Sequence, residues 1–220
     1  MARVDRRDPY VTNRLQANGP APLARAVGPS PDRGRLRRFA GEQKSLALSR
    51  GAARAEVIQA TEIPLGKPLR PEPGQPVSAH WPAAYPLDSF SRALDAFELG
   101  VFFALDAPPL PDPGHGPITD PGLADRYLAL QELACFLEST AFYHGWHLSL
   151  ALAEGHCRSL YCAGEKRCWA MVKGRACIHP YKARPTLSSM GVRARELARK
   201  RGWDVPGQGQ AHLAGLVLLG

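Results

Sequence analysis

The clearest hydrophobic pattern in the chain runs from residue 120 to residue 143. Leu123, Tyr127, Leu130, Ala134, Leu137 and Ala141 recur there at helical spacing and share one face. Asp120 followed by Pro121 supplies an N-cap and a proline at the first helical position, so the pattern predicts a helix from there to about Tyr143. Asp125, Arg126, Glu132 and Glu138 within it rule out a membrane span. Upstream, Asp88 reads as the N-cap of an amphipathic helix carrying Phe90, Leu94, Phe97 and Leu99, which Gly100 stops. A continuous apolar run, Val101–Leu105, then predicts a buried strand.

Shorter signals fill in the rest. Gly41–Arg50 predicts a short helix, and Glu56–Ala60 a strand within Ala55–Pro64. His147–Ala153 alternates through Leu148, Leu150 and Leu152 and predicts a further strand. A helix over about Met190–Arg201 and a last strand over Ala211–Leu218 close the pattern. Long loops separate these elements at residues 66–86 and 106–119. Helices and strands thus alternate, which predicts an α/β fold, a small sandwich with a sheet of about four strands packed by helices. Gly155–Pro185 has no period at all, and a segment of that length is unusual in a compact domain unless a ligand organises it.

With 220 residues the chain suits one ordinary domain plus a tail, or at most two small domains. Its 21 Gly and 21 Pro fit the long loops just read. Met1 to about Arg38 is rich in Pro, Arg, Ala and Gly without a sustained apolar period. That composition sets residues 1–40 apart as a disordered basic leader, with 41–220 as a single domain. An over-extended start or an Arg-rich transit segment has the same composition. No apolar stretch approaches membrane-spanning length and no secretory core follows the Arg-rich start, so a cytoplasmic protein with reduced cysteines is expected.

The net charge of +8 changes meaning once divided along the chain. Residues 1–54 hold 12 Lys/Arg against 4 Asp/Glu, whereas residues 55–220 hold 16 of each. A nucleic-acid-binding domain should show its excess in the folded part, interleaved with aromatics, so nucleic acid is not the expected partner. Within the neutral part, Gly155–Arg201 carries 12 Lys/Arg against Glu165 and Glu196 alone. The run Glu196–Arg201 reads as a solvated helix end, where cations are favourable.

That basic stretch contains four of the five cysteines, Cys157, Cys162, Cys168 and Cys177, spaced Cys-x4-Cys-x5-Cys-x8-Cys. Clustered intracellular thiols point to a metal site over 155–185, because a metal supplies folding free energy that this loop cannot gain from apolar burial. Four thiolates suit both Zn²⁺ and an iron–sulfur cluster. Structural zinc prefers tight pairs, and only Cys157-x4-Cys162 fits; the wide remaining spacings favour a [4Fe-4S] cube, with Zn²⁺ as the alternative. Arg158, Lys166, Arg167, Lys173, Arg175, Lys182 and Arg184 could offset the negative charge of either centre.

The run Gly155-His156-Cys157-Arg158, then Tyr161-Cys162, Glu165-Lys166, Cys168, Cys177-Ile178-His179-Pro180 and Lys182-Ala183-Arg184-Pro185 resembles the C-terminal signature of the DUF2284 family. Gly191-Val192, Trp203 and the closing Gly215–Leu218 are also similar, and the resemblance extends from roughly Ala55 to Gly220. It implies a predicted metal-binding protein and supplies no substrate. Members typically carry further cysteines in the first half, whereas the corresponding stretch here, Ser78–Pro86, has none. Any second site is therefore expected to be absent; His80 could stand in as a ligand, though an incidental loop histidine is the simpler reading.

Three residues are candidate neighbours of the centre. His156 and His179 flank the first and last cysteines and could ligate the metal or hydrogen-bond to sulfur, and Arg184 could pair with a cluster. Cys135, mid-helix beside Phe136, reads as a buried small hydrophobe. Thr186 or Ser188 is expected to cap the final helix. No nucleophile elbow, phosphate loop or dinucleotide fingerprint is present, and an enzyme would need an open metal coordination position. The expected role is electron transfer or redox assistance to an unidentified protein partner, the alternative a zinc-stabilised interaction module.

Overall fold

The computed structural model describes residues 32–66, 87–107, 120–169, 176–203 and 211–220. Its elements run in the order α1 (Arg33–Ser49), β1 (Arg54–Gln59), a 3-10 turn (Ala60–Glu62), α2 (Leu87–Leu94), β2 (Leu99–Ala107), α3 (Pro121–Tyr143), β3 (Ser149–Ala153), α4 (Cys157–Tyr161), a second 3-10 turn (Ser188–Met190), α5 (Ala194–Lys200) and β4 (Ala211–Leu219). The four strands form one antiparallel sheet in the order β1-β2-β4-β3. The α/β sandwich expected from the pattern is therefore present.

Strand periodicity sends alternate side chains of this sheet into two separate apolar layers. Leu99, Val101, Phe103 and Leu105 of β2, with Leu213 and Val217 of β4 and Ala151 and Ala153 of β3, pack beneath α1 and α3. Phe102, Ala104, Leu152, Leu216 and Leu218 face the other way, against Phe90, Leu94, Phe97, Leu187, Leu197 and Trp203. The Trp203 ring stacks on Phe102 with centroids 4.7 Å apart. Burial on both faces explains why β2 reads as a continuous apolar run and not as an alternation.

Helix α3 matches its pattern, and the Asp120 side chain caps it by accepting from Leu123 N at 2.6 Å. Several boundaries differ from expectation. Helix α1 begins at Arg33, eight residues before Gly41, with Asp32 accepting from Gly34 N at 2.8 Å. Residues 33–40 are thus helical and not leader: Leu36, Phe39 and Ala40 are buried while the intervening arginines face solvent. Those arginines hid a period carried by few apolar side chains. Residues 1–31 of the leader, His80 and most of both long loops lie outside the described residues.

Asp88 lies within α2 instead of capping it, and α2 ends at Leu94, where tight bonds from Ala96 N to Ala93 O and from Phe97 N to Leu94 O close its last turn. Gly100 is not a helix stop but a residue of β2; a Cβ there would come within 2.9 Å of Leu216 Cδ1. β3 starts at Ser149, not His147. The predicted final helix is split by Gly191, whose φ of 79° and neighbour Val192, bridged to Leu65, interrupt it before α5. Neither Thr186 nor Ser188 is the expected cap: Leu187 precedes the 3-10 turn and Arg193 precedes α5, both without a side-chain cap bond, while Thr186 Oγ1 accepts from Ser189 N at 3.1 Å.

Candidate metal centre

The cysteine segment leaves the sheet at β3 and returns to it within hydrogen-bond distance of where it left. Ala153 N donates to Pro185 O at 3.0 Å, so the two stems of the excursion are paired. Gln131 of α3, fully buried, grips both: its Nε2 lies 3.2, 3.3 and 3.1 Å from the carbonyls of Ala153, Glu154 and Gly155, and its Oε1 accepts from Arg184 N at 3.1 Å. Gly155 takes a φ of 91°, and a Cβ there would meet Tyr127 Cδ1 at 2.6 Å, so the segment turns against α3 where only glycine fits.

The turn after Gly155 starts α4, with Cys157 as its first residue and Cys162 as its C-cap. Arg158 Nη2 donates to the carbonyl of Glu165, and Glu165 N to that of Cys162, which folds the chain between Cys162 and Cys168. Trp169 Nε1 continues the brace to Glu165 Oε2 at 3.0 Å. On the far arm His179 N donates to Cys177 Sγ at 3.3 Å, and a turn from His179 O to Lys182 N and Ala183 N carries the chain back to its stem.

All five cysteines are free thiols. Burial pushes the Cys157 thiol up to about 12, and the charges of Cys168, Cys177 and Cys162 push it the same way. Burial raises Cys162 as well, followed by the charges of Cys177 and Cys168. The charges of the other cysteines of the segment thus bear on Cys157 and Cys162. Among the described residues, no three His, Cys, Asp or Glu side chains are grouped so that they could hold a metal ion. The donor set still fits a thiolate-bound metal. Four free thiols lie on one segment, one already accepts a backbone N–H, and two polar atoms of the same segment, Arg158 Nη1 and Tyr161 Oη, are buried without a partner among the described residues.

The candidate neighbours separate in the structure. His156 is the N-cap residue of α4, and the His179 ring packs against Tyr161 with centroids 5.7 Å apart. Arg184 is committed elsewhere: Nε and Nη2 reach Glu138 Oε2 at 2.7 and 2.6 Å, and Nη1 the carbonyls of Pro180 and Ala183 at 3.2 and 3.1 Å. Cys135 is only half-buried and is not remote from the cysteine segment; its thiol donates to Lys182 O at 3.2 Å, and burial raises it to about 11.

A family model for predicted metal-binding proteins matches residues 78–219, more than half of the chain. The chain belongs to the DUF2284 family. The match starts at residue 78, downstream of the Ala55 at which the sequence resemblance begins, so α1 and β1 of this DUF2284 protein fall outside it. No curated protein and no solved structure matches the chain. Among the described residues, no helix is long and apolar enough to cross a membrane.

Sequence reasoning missed the residues of α3 that hold the segment. Tyr127, Gln131, Cys135 and Glu138 follow helical spacing along one stripe, and each touches the cysteine segment, its stems or the adjoining strand. Glu138 contributes twice, through Arg184 and by accepting from Ala151 N of β3 at 2.8 Å. The available signal was two amphipathic polar residues, Gln131 and Glu138, seven positions apart in a helix with an otherwise apolar inner face.

Proposed function

We propose that this DUF2284 protein binds one [4Fe-4S] cluster through Cys157, Cys162, Cys168 and Cys177 and passes electrons to a protein partner. The observation that carries the reading is the pinned excursion inside the family match: four free cysteines lie on one segment whose stems pair at Ala153 N and Pro185 O and which has little apolar core of its own. When bound, the cluster supplies a one-electron redox couple. The chain's own residues pin the segment at its stem through Gln131, supply a backbone N–H to Cys177 sulfur, and give the segment a basic composition. His156 and His179 stand beside the first and last ligands. Arg184 acts from its pairing with Glu138, where its charge reaches Cys135 and Tyr161. Five free thiols suit the cytoplasm, where they stay reduced.

The spacing Cys157-x4-Cys162 also suits one arm of a zinc site, which makes a structural-zinc interaction module the competing reading. Anaerobic purification separates the two. A brown protein with about four iron and four acid-labile sulfide per chain is expected. A colourless protein holding about one zinc, and taking up no iron on reconstitution, would overturn the cluster reading.

A further inference from the structure

Two orphaned polar atoms at α4 call for an acceptor. Arg158 Nη1 and Tyr161 Oη are buried and have no hydrogen-bond partner among the described residues. Each such atom costs about 1–3 kcal/mol when left unpaired. Both belong to α4, which Cys157 starts and Cys162 caps. Tyr161 stands four residues after Cys157 on the same face of α4, and Arg158 stands four residues before Cys162, which caps the helix end. Neither side chain is free to swing away. The Tyr161 ring lies against His179, on the arm that carries Cys177, and the Arg158 guanidinium is tethered through Nη2 to Glu165 O.

A neutral thiol is a weak acceptor, whereas a metal-bound thiolate carries negative charge and accepts strongly. The acceptor these atoms lack is thus created when the thiols lose their protons to a metal. We propose that Tyr161 Oη donates a hydrogen bond to the metal-bound sulfur of Cys157, and Arg158 Nη1 to that of Cys162. Both are positioning residues that tune the centre without ligating it. The inference rests on the four-cysteine reading but not on which metal the cysteines hold.

A donor on cluster sulfur stabilises the more negative, reduced state, so removing it lowers the reduction potential. Tyr161→Phe keeps the ring and deletes only the hydroxyl. In anaerobically purified full-length protein it is expected to retain wild-type iron and sulfide while shifting the reduction equilibrium about tenfold toward the oxidised form, about 59 mV for one electron. Arg158→Gln is expected to shift it in the same direction. A Tyr161→Phe protein with full iron and an unchanged potential overturns the Tyr161 assignment, and so does one that loses metal which the wild type retains. An Arg158→Gln protein that loses its metal, or keeps the potential, overturns the Arg158 half. If the wild type holds zinc, the cluster reading fails and the inference is read by alkylation. Iodoacetamide should then modify zinc-loaded Tyr161→Phe several-fold faster than wild type, and equal rates overturn it. A wild-type chain that holds neither metal overturns both the reading and the inference.

Discussion

Glu154, the residue that follows β3, combines burial with a structural hydrogen bond and an ordinary carboxyl chemistry pushed out of range. Burial raises it from 4.5 to about 7, against the pull of the Ala214 N–H, 2.9 Å from Oε2, and of the Arg195 charge. Below about 4.5 the carboxyl is protonated in folded and unfolded chains alike, and its contribution to stability is fully present. Between about 4.5 and 7 only the unfolded chain ionises, so stability falls as pH rises through the folded value and stays lowered above it. The loss is on the order of 3 kcal/mol. Glu154→Gln keeps an amide oxygen for Ala214 and cannot ionise. The urea midpoint at about pH 8 relative to that at about pH 5 should therefore be higher in Glu154→Gln than in wild type, all other titrations being common to both. Equal pH dependence in the two proteins would refute the assignment. At this scale the four cysteines were legible in the sequence because their chemistry is carried by residue type and spacing. Glu154 was not, because a carboxyl's environment is set by a strand, β4, that is distant in sequence.

Helix α3 acts as the mould for the segment that carries the cysteines. Its inner apolar face packs on the sheet, and its polar stripe reaches across to both stems. The decisive contact is Gln131, whose two amide N–H groups are shared among three carbonyls of the outgoing stem and whose Oε1 accepts one N–H of the returning one. Gln131→Leu preserves volume and helix propensity but orphans these groups, at a cost of about 2–4 kcal/mol. The expected result is a lowered urea midpoint together with reduced metal content after reconstitution. Hydrogen exchange should rise first at Glu154–Cys162 and Ala183–Pro185, and uniform exchange over the whole domain would argue against a stem clasp. The helix itself was legible because its N-cap, proline and apolar period agree. Its stripe was hidden, since polar residues on a half-buried helix look solvated until their partners, 22 to 53 residues away, are known. Element ends were misread for a related reason: Gly100 and Leu99 belong to β2 through pairing with Leu218 and Leu219, which outweighs the local helical spacing.

The whole molecule divides into a sheet core and an appended cysteine segment at opposite ends of the strand order. The segment leaves from β3 at one edge, while α1 and β1, outside the family match, cover the other. That arrangement makes it tempting to treat residues 78–219 as self-sufficient, and the packing argues otherwise. Leu36, Phe39 and Ala40 of α1 share one apolar layer with α3, and the Phe39 ring stacks on Trp146, just after α3, at 5.5 Å. Ile58 of β1 is buried in the opposite layer. Each of the larger side chains contributes about 1.5–3 kcal/mol of burial, so losing the three together rivals the 5–15 kcal/mol total stability of a typical domain. Removing β1 also bares the apolar Leu99–Ala104 edge of β2, a template for intermolecular pairing. A chain starting at residue 61 should accordingly elute as aggregate and bind a hydrophobic dye, even when reconstituted with metal. A chain starting at Asp32 should remain monomeric and load metal like the full-length protein. A monomeric, metal-loaded product from the shorter chain would show instead that α3, β2, β3 and β4 suffice, and that α1 and β1 are additions to a core that stands without them.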